Sequence, residues 1–218
     1  IKFDTLERLT SFVEKMAQWR RSPMIKLLDG AGGSVREVSE HVGTIPPGVT
    51  HPQIWNEDLL SQVPVVSAVL GSCAGWIAVT AVISHFSVMT RTTSELFTGG
   101  PPVVKRALNI DIKKQDLGDY RIHTYESGVI DNVAEDEEDA FRQIRLFLSY
   151  LPQNVWHLPP RIETGDDPNR RDEELLSIIP RSSRKQYDMR QLVRHVVDKD
   201  SIFELSPSYG RSLITVLA

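Results

Sequence analysis

The sequence predicts an α/β fold of repeated strand–strand–helix units. Two short aliphatic runs, at residues 24–28 and 63–70, each lead into a glycine-rich segment and then into a helical pattern. Hydrophobic residues make up 40% of the 218 residues and charged residues 25%, enough apolar material to bury one or two cores. Strands that alternate with helices in this way are typical of α/β proteins.

The first unit begins with an amphipathic helix over residues 3–19, where apolar side chains recur at helical spacing. A short strand follows at residues 24–28 and ends in the glycine-rich turn of residues 29–33. Ser34 and Glu37 have the spacing of a capping box, which predicts that a second helix starts there.

The second unit repeats this order. Residues 63–70 form a buried-strand run, residues 71–75 a glycine-rich turn, and residues 76–83 an apolar helix. Two short strands are then expected at residues 86–89 and 94–97. Strand pairs therefore alternate with helices along this part of the chain.

The glycine and proline residues at 99–102 open a helix through Leu108, with proline in its first turn. A short strand is expected at residues 129–133. The acidic run at 135–139 begins a helix over residues 136–150, which Pro152 ends.

Three segments define the predicted domain organisation. Residues 1–158 form the later part of a first domain, and the proline-rich, charged residues 159–180 form a linker. Residues 181–218, with a helix at 189–197, begin a second domain. Because the chain opens at Ile1 and not at Met, we expect it to be part of a longer subunit.

Composition excludes several classes of partner and site. The 25 Lys and Arg against 29 Asp and Glu give a formal charge of -4, so a nucleic-acid partner is not expected. The apolar run from residue 63 to 83 is broken by polar and glycine residues and is too short to span a membrane. A single cysteine, Cys73, rules out an internal disulfide and a cysteine-rich metal site, and fits a reducing compartment.

The two glycine-rich segments are the strongest candidates for chemistry. Each precedes a helix start, where unpaired backbone N–H groups can meet an oxygen, and glycine lets a substrate approach the backbone itself. Neither segment matches a phosphate-binding loop or a dinucleotide fingerprint. From composition alone, a tight connection without a ligand is the favoured interpretation of each segment, and a role in binding is the alternative.

The titratable side chains give weaker signals. Histidines lie at positions 41, 51, 85, 123, 157 and 195, without the spacing of metal ligands, so no metal site is predicted. His85 and His123 are candidate acids or bases, although a structural role is the favoured interpretation. Cys73 is interpreted as a buried hydrophobic residue more readily than as a nucleophile. The acidic run at 135–139 is interpreted as a helix start.

The order of motifs resembles that of the biotin-dependent carboxyltransferases. The segments that carry the resemblance are Val-Pro-Val-Val-Ser-Ala-Val-Leu-Gly-Ser-Cys-Ala-Gly (63–75), Thr-Ser-Glu-Leu-Phe-Thr-Gly-Gly-Pro-Pro-Val-Val-Lys (93–105) and Asp-Leu-Gly-Asp-Tyr-Arg-Ile-His-Thr (116–124). Further segments at 127–131, 147–152 and 187–193 follow in the same order. The resemblance extends from about residue 24 to the end of the chain and points to acyl-CoA carboxylase β subunits.

The resemblance implies a crotonase-like fold of repeated ββα units, here the later part of one domain and the start of a second. It implies a β subunit that moves a carboxyl group from carboxybiotin, carried by a partner, to the α-carbon of an acyl-CoA. That partner would be a biotin carboxylase and biotin carboxyl carrier α subunit, which uses ATP and bicarbonate. A hexameric β core is also implied, in the mitochondrial matrix of a eukaryote or otherwise in the cytoplasm.

In this reaction the protein supplies backbone donors for oxyanions and needs no side-chain base. The resemblance places the oxyanion donors at Gly32 and Gly33. It places the substrate-binding residues at Gly71, Ala74, Gly75, Gly99 and Gly100. Because active sites would lie between subunits and need a second domain, we expect these 218 residues to be inactive alone.

Two departures from the family pattern bear on specificity. The first turn has Asp-Gly-Ala-Gly-Gly-Ser-Val-Arg (29–36) in place of Asp-Ser-Gly-Gly-Ala-Arg, and Trp76 stands where a further glycine is common. Similarity at residues 167–171 and 185–189 favours propionyl-CoA as substrate. The alternatives are a methylcrotonyl-CoA or longer-chain carboxylase, a biotin-dependent decarboxylase subunit with a membrane partner, and a non-catalytic scaffold paralogue.

Overall fold

The computed structural model describes residues 3–30, 58–167 and 169–218. Its helices are α1 (Phe3–Arg20), α2 (Trp76–Val82), α3 (Pro101–Leu108), α4 (Lys114–Gly118), α5 (Glu137–Ser149), α6 (Leu175–Ile178) and α7 (Met189–Val196), with a π-helical turn at Ile122–Glu126. Its strands are β1 (Met24–Gly30), β2 (Val65–Ala74), β3 (Phe86–Thr90), β4 (Glu95–Phe97), β5 (Asn132–Ala134), β6 (Phe203–Leu205) and β7 (Thr215–Leu217).

Five of these strands form one parallel sheet. Its order is β1-β2-β3-β5, and β4 pairs with the far end of β2. Parallel neighbours require a crossover connection, which explains why helices separate β2 from β3 and β4 from β5. The predicted α/β class is confirmed.

One part of the core lies between this sheet and α5, and a second part includes Ala78 and Ala81 of α2. Every residue of β3 is buried, as a strand covered on both faces requires. The ring of Phe86 stacks on that of Phe147 in α5, with centroids 4.9 Å apart, and meets Phe203 edge-on at 5.4 Å. These aromatic contacts add to the apolar burial that holds α5 against the sheet.

Strand β2 changes partners part-way along its length. Residues 66–69 pair with both β1 and β3, whereas residues 72–74 pair with β4. The register with β1 shifts, so that Leu28 faces Val69 but Gly30 faces Cys73. The predicted turn at residues 71–75 is therefore wrong except at Gly75, because pairing with β4 keeps the chain extended through Ala74.

Most of the other predicted elements are confirmed within a residue or two. The strand predicted at 129–133 begins only at Asn132. The N–H of Ile130 donates to the carbonyl of His123 at 3.2 Å and that of Asp131 to Ser87 Oγ at 3.1 Å, so neither joins the strand pairing. The glycine-rich residues 31–33 and the helix start at Ser34 lie outside the described residues. No described helix is long and apolar enough to cross a membrane.

The residues after the predicted linker return to the core around Phe86. Phe203 is buried there, and β6 pairs with β7 in a separate antiparallel ribbon. The hydroxyl of Ser206 donates to Asp131 Oδ1 at 3.0 Å, and Asn132 Nδ2 donates to the carbonyl of Glu204 at 3.1 Å. The division into domains at residues 159–180 stays a prediction.

Candidate functional site

Gly75 ends β2 and begins α2 in a conformation that requires glycine. Its φ and ψ are 67° and -131°, and a Cβ added there would meet no atom within 4 Å. Its N–H donates to the carbonyl of Phe97 at 3.2 Å. Helix α2 has no side-chain cap, so the N–H groups of Trp76 and Ile77 have no partner within the helix. There is thus open space beside Gly75, and the first N–H groups of α2 lack partners within the helix.

Two other glycines near Gly75 have filled surroundings. A Cβ at Gly71 would lie 2.2 Å from Asp29 Oδ1, and a Cβ at Gly30 would lie 2.5 Å from Ile77 Cδ1. Both glycines therefore allow the first glycine-rich segment to pack directly against the second. This contact brings the end of β1 beside the site predicted at Gly71, Ala74 and Gly75.

Gly99 and Gly100 precede α3, and Gly100 lies beside the ring of Phe97. Gly100 caps α3 through its carbonyl, which accepts from the N–H of Val103 at 2.9 Å. A Cβ at Gly100 would lie 3.2 Å from the ring of Phe97, while the Phe97 carbonyl receives the N–H of Gly75. Ala74, Gly75 and Gly100 thus meet at Phe97 of β4, whereas the surroundings of Gly71 and Gly99 are formed by Asp29 and Val103. Gly32 and Gly33 lie outside the described residues.

A polar cluster supports the same region, and the sequence did not point to it. Glu95 is 9% exposed at the start of β4, and its carboxylate accepts from the hydroxyl of Ser72. The other oxygen accepts from Gln115 Nε2 at 3.0 Å, and Lys114 Nζ donates to Ser72 Oγ at 3.0 Å. The sequence offered one indication of this cluster, namely that the charged residue Glu95 lies within the short strand predicted at 94–97.

Residues 3–218 match the protein family described as carboxyl transferase domain. The chain belongs to this family. The crotonase-like class expected from the sequence resemblance is confirmed with it.

Relatives of this carboxyl transferase domain include three subunits longer than the chain itself. It is 35% identical to a propionyl-CoA carboxylase carboxyltransferase subunit of Haloferax mediterranei, over 88% of this chain and 37% of that one. The mitochondrial propionyl-CoA carboxylase beta chain of Homo sapiens is 32% identical, over 90% and 36%. Methylmalonyl-CoA decarboxylase subunit alpha of Veillonella parvula is 32% identical, over 94% and 40%.

Among solved structures, the carboxyl transferase domain resembles the hexameric transcarboxylase 12S with bound, hydrolysed methylmalonyl-coenzyme A. The TM-score is 0.87 at 26% identity, over 97% of this chain and 41% of that one. The chain thus spans about two fifths of the length of these relatives.

The histidines singled out in the carboxyl transferase domain serve structural contacts. His85 Nδ1 accepts the N–H of Val65 at 3.0 Å, which holds β2 beside β3. His123 lies in the π-helical turn, and its Nε2 is 2.6 Å from the carbonyl of Leu96. A carbonyl can only accept, so Nε2 carries the hydrogen and Nδ1 is left as a buried acceptor without a partner among the described residues. Burial lowers the pKa of His123.

Cys73 of the carboxyl transferase domain is fully buried between β1 and β4. Burial raises the pKa of its thiol to about 11, which keeps it protonated near neutral pH. The structure therefore supports the interpretation of Cys73 as a small core residue.

The acidic run begins α5, as the sequence indicated. Asp136 caps the helix by accepting the N–H of Asp139 at 2.9 Å. Burial tends to raise the pKa of Asp139, but hydrogen bonds from Arg142 and other donors outweigh it and leave that pKa lowered. Within the part of the chain that the structure describes, no three His, Cys, Asp or Glu side chains gather as metal ligands.

Proposed function

We propose that the chain belongs to the carboxyltransferase component of a biotin-dependent acyl-CoA carboxylase. It moves a carboxyl group from carboxybiotin to the α-carbon of a short-chain acyl-CoA, with propionyl-CoA favoured. The observation that carries this proposal is the family match over residues 3–218. Relatives named as propionyl-CoA carboxylase subunits support the substrate.

Carboxylation at an α-carbon passes through an enolate, whose oxygen needs hydrogen-bond donors that act most strongly in the transition state. The start of α2 is suited to this task, because the N–H groups of Trp76 and Ile77 have no partner within the helix. Apart from its chain neighbours, no protein atom lies within 4 Å of the place where a Cβ of Gly75 would be. We assign Gly71, Ala74 and Gly75 to the lining of the thioester and Gly99 and Gly100 to substrate binding.

Gly71 differs from Gly75 in how it can line the thioester, because a side chain already lies against it. Its Cα face is filled by Asp29, so it contributes to the lining through its backbone alone. Gly32 and Gly33 are assigned as oxyanion donors from the sequence resemblance.

Biotin, when delivered by a partner subunit, would supply the carboxyl group. The residues of this chain fit the remaining tasks, which are to bind the acyl-CoA and to stabilise the oxyanion. The described residues near Gly75 offer backbone donors and open space, while His85 and His123 are occupied by structural contacts. In this proposal the chain orients the thioester and stabilises negative charge. The proton transfers need no side chain of this chain.

The proposed partner is an α subunit with biotin carboxylase and biotin carboxyl carrier domains, which consumes ATP and bicarbonate. We further propose a homo-oligomeric β core, a hexamer like that of transcarboxylase 12S. The proposed location is the mitochondrial matrix in a eukaryote, as for the human relative, and the cytoplasm otherwise. The domain division at residues 159–180 is part of this proposal.

A second candidate function is decarboxylation of a carboxylated acyl-CoA. The Veillonella parvula relative is named as a methylmalonyl-CoA decarboxylase subunit and matches 94% of this chain. The reaction uses the same oxyanion at the α-carbon in the reverse direction, so the backbone geometry suits both. A methylcrotonyl-CoA or longer-chain carboxylase remains an alternative for the acyl group, and a non-catalytic scaffold for the whole subunit.

The deciding experiment uses the full-length subunit assembled with its biotin-bearing partner. ATP-dependent incorporation of labelled bicarbonate is measured for acetyl-, propionyl-, methylcrotonyl- and octanoyl-CoA. We expect propionyl-CoA to give the highest kcat/KM. Carbon dioxide release from methylmalonyl-CoA without ATP-dependent fixation would replace the proposal by the decarboxylase. Absence of acyl-CoA binding would replace it by the scaffold.

A further inference from the structure

Glu95 is a buried acid whose contacts join three separate segments. It stands first in β4, and its two carboxylate oxygens bind Ser72 at the end of β2 and Gln115 in α4. A buried carboxylate is unfavourable unless hydrogen bonds compensate for lost hydration. Because Glu95 is only 9% exposed, its hydrogen bonds must be retained, and they hold the segments that carry its partners in a defined arrangement.

The end of β2 is paired over fewer residues than its beginning, so these side-chain contacts add to what holds it in place. After Val69 the strand leaves β3, and its register with β1 is interrupted before Cys73. Residues 72–74 pair with the three residues of β4, and Cys73 also faces Gly30 of β1 beyond the register shift. On the opposite side of this transition, Thr93 Oγ1 donates to the carbonyl of Leu70 at 2.7 Å.

The cluster also has a fixed hydrogen-bond direction. Lys114 has only donors, so it donates to Ser72 Oγ, and the Ser72 hydroxyl must then donate to the acceptor-only carboxylate of Glu95. Hydrogen bonds to an ionised acceptor are about twice as strong as neutral ones. A glutamine at position 95 would keep the shape but replace one acceptor oxygen by a donor NH₂ group.

We propose that Glu95 is a positioning residue that sets the placement of Ser72 and, through it, of the backbone of residues 71–75 against the substrate. This inference rests on the proposed function, because it assumes that the backbone binds the reacting thioester. Glu95 itself acts through Ser72 and does not contact the substrate. Its loss misplaces the backbone donors, and a shift of about 1 Å can reduce the rate about 100-fold.

The test compares Glu95→Gln with wild type in the assembled, full-length enzyme, with propionyl-CoA as probe. We expect kcat to fall at least about tenfold while KM changes less than about twofold, since donors aligned in the transition state are lost. The matched control is Glu135→Gln, which removes an exposed carboxylate paired with Arg91 at 3.0 Å. Its kcat should stay within about twofold of wild type.

The variant Ser72→Ala tests the same inference if Glu95→Gln does not assemble. Ser72→Ala removes the link to β2 but leaves Glu95 bonded to Gln115, and its kcat should fall with little change in KM. Where Glu95→Gln does assemble, the losses in the double variant should be less than additive, because both act through one hydrogen bond. Unchanged kcat in Ser72→Ala, or fully additive losses, would overturn the inference.

Different results would refute the proposed function and the role of Glu95. Wild type that transfers no carboxyl group to any acyl-CoA refutes the function, whereas active wild type with an equally active Glu95→Gln refutes only the role of Glu95. A fall in thermal stability with unchanged kcat would mark Glu95 as a purely structural residue and would also overturn the inference.

Discussion

Gly71 and Gly75 lie four residues apart in one glycine-rich segment, yet their surroundings are opposite. At Gly71 the position of a Cβ is already filled by the carboxylate of Asp29, whereas at Gly75 the same position is open. The backbone also differs, because Gly71 lies within β2 and Gly75 has φ +67°. Gly71 serves packing and Gly75 leaves open space beside the backbone, and the sequence motif does not distinguish the two.

The largest expected effect concerns the first glycine-rich segment. Gly33→Pro in the full-length enzyme removes a backbone N–H assigned to an oxyanion and should reduce carboxyl transfer by about 10²–10³-fold. Assembly should stay intact by size-exclusion chromatography. Turnover equal to wild type would show that Gly33 is not a donor.

Gly75→Ala sharpens the comparison directly. Apart from its chain neighbours, no protein atom lies within 4 Å of the new methyl group. The methyl group nevertheless occupies the space that we propose for the substrate, and the positive φ strains the backbone by about 1–3 kcal/mol. We expect kcat/KM for propionyl-CoA to fall by about 10²-fold, on the scale of a misplaced or blocked substrate. The measurement is steady-state kinetics beside thermal unfolding.

The control for Gly75→Ala is Gly165→Ala. Gly165 also has positive φ, at 71°, and open surroundings, but it lies in the predicted linker. Both variants should lose similar stability, and only the variant at position 75 should lose activity. Equal losses of activity would show that backbone strain alone explains the effect.

Gly71→Ala should act on stability first. Its methyl group would overlap the side chain of Asp29, which is exposed and can move aside. We therefore expect a loss at or below the lower end of the about 1–3 kcal/mol that overpacking of a core costs. Urea unfolding of the full-length subunit measures the change. If the clash is the cause, adding Asp29→Ala should recover part of the loss, and a purely additive double variant would argue against it.

Cys73 offers a chemical check on the same packed region. With a thiol pKa of about 11, only about one molecule in a thousand is a thiolate at pH 8. We expect Cys73 to resist iodoacetamide in the native protein and to react after unfolding in urea, as followed by mass spectrometry. Rapid native labelling would mean that β1 and β4 separate readily around it.

The smallest expected effect is a pH dependence at His123. Its folded pKa is lowered by burial, so between the unfolded value of about 6.5 and the folded value the unfolded state binds the additional proton. Stability contributed by neutral His123 is therefore present above about pH 6.5 and falls as pH drops below it. His123→Gln, which keeps a donor for the Leu96 carbonyl, should flatten this part of the unfolding profile. An identical slope in the variant would refute this origin.

Much of the fold could be predicted because its signals are local. The amphipathic pattern of α1 and the acidic start of α5 lie within single segments, where side-chain periodicity follows directly from helix geometry. The proline-led start of α3 likewise needs only its own residues. Even the position of Gly75 at a helix start was visible in the order of residues.

Other features required the tertiary structure, because their partners are distant in the chain. Pairing with β4 keeps residues 72–74 extended where a turn was expected, and Gly71 owes its requirement for glycine to Asp29, far earlier in the chain. Glu95 acquires its hydrogen bonds only when β2 and α4 meet around it.

The sequence by itself therefore determined the α/β class, the family resemblance and the candidate glycines, since each depends on local pattern and motif order. Only the tertiary structure decided which glycine is open and which is filled, and which acid supports the end of β2. Hydrogen bonding and close packing between distant segments are properties of the folded chain, so no local pattern could have specified them.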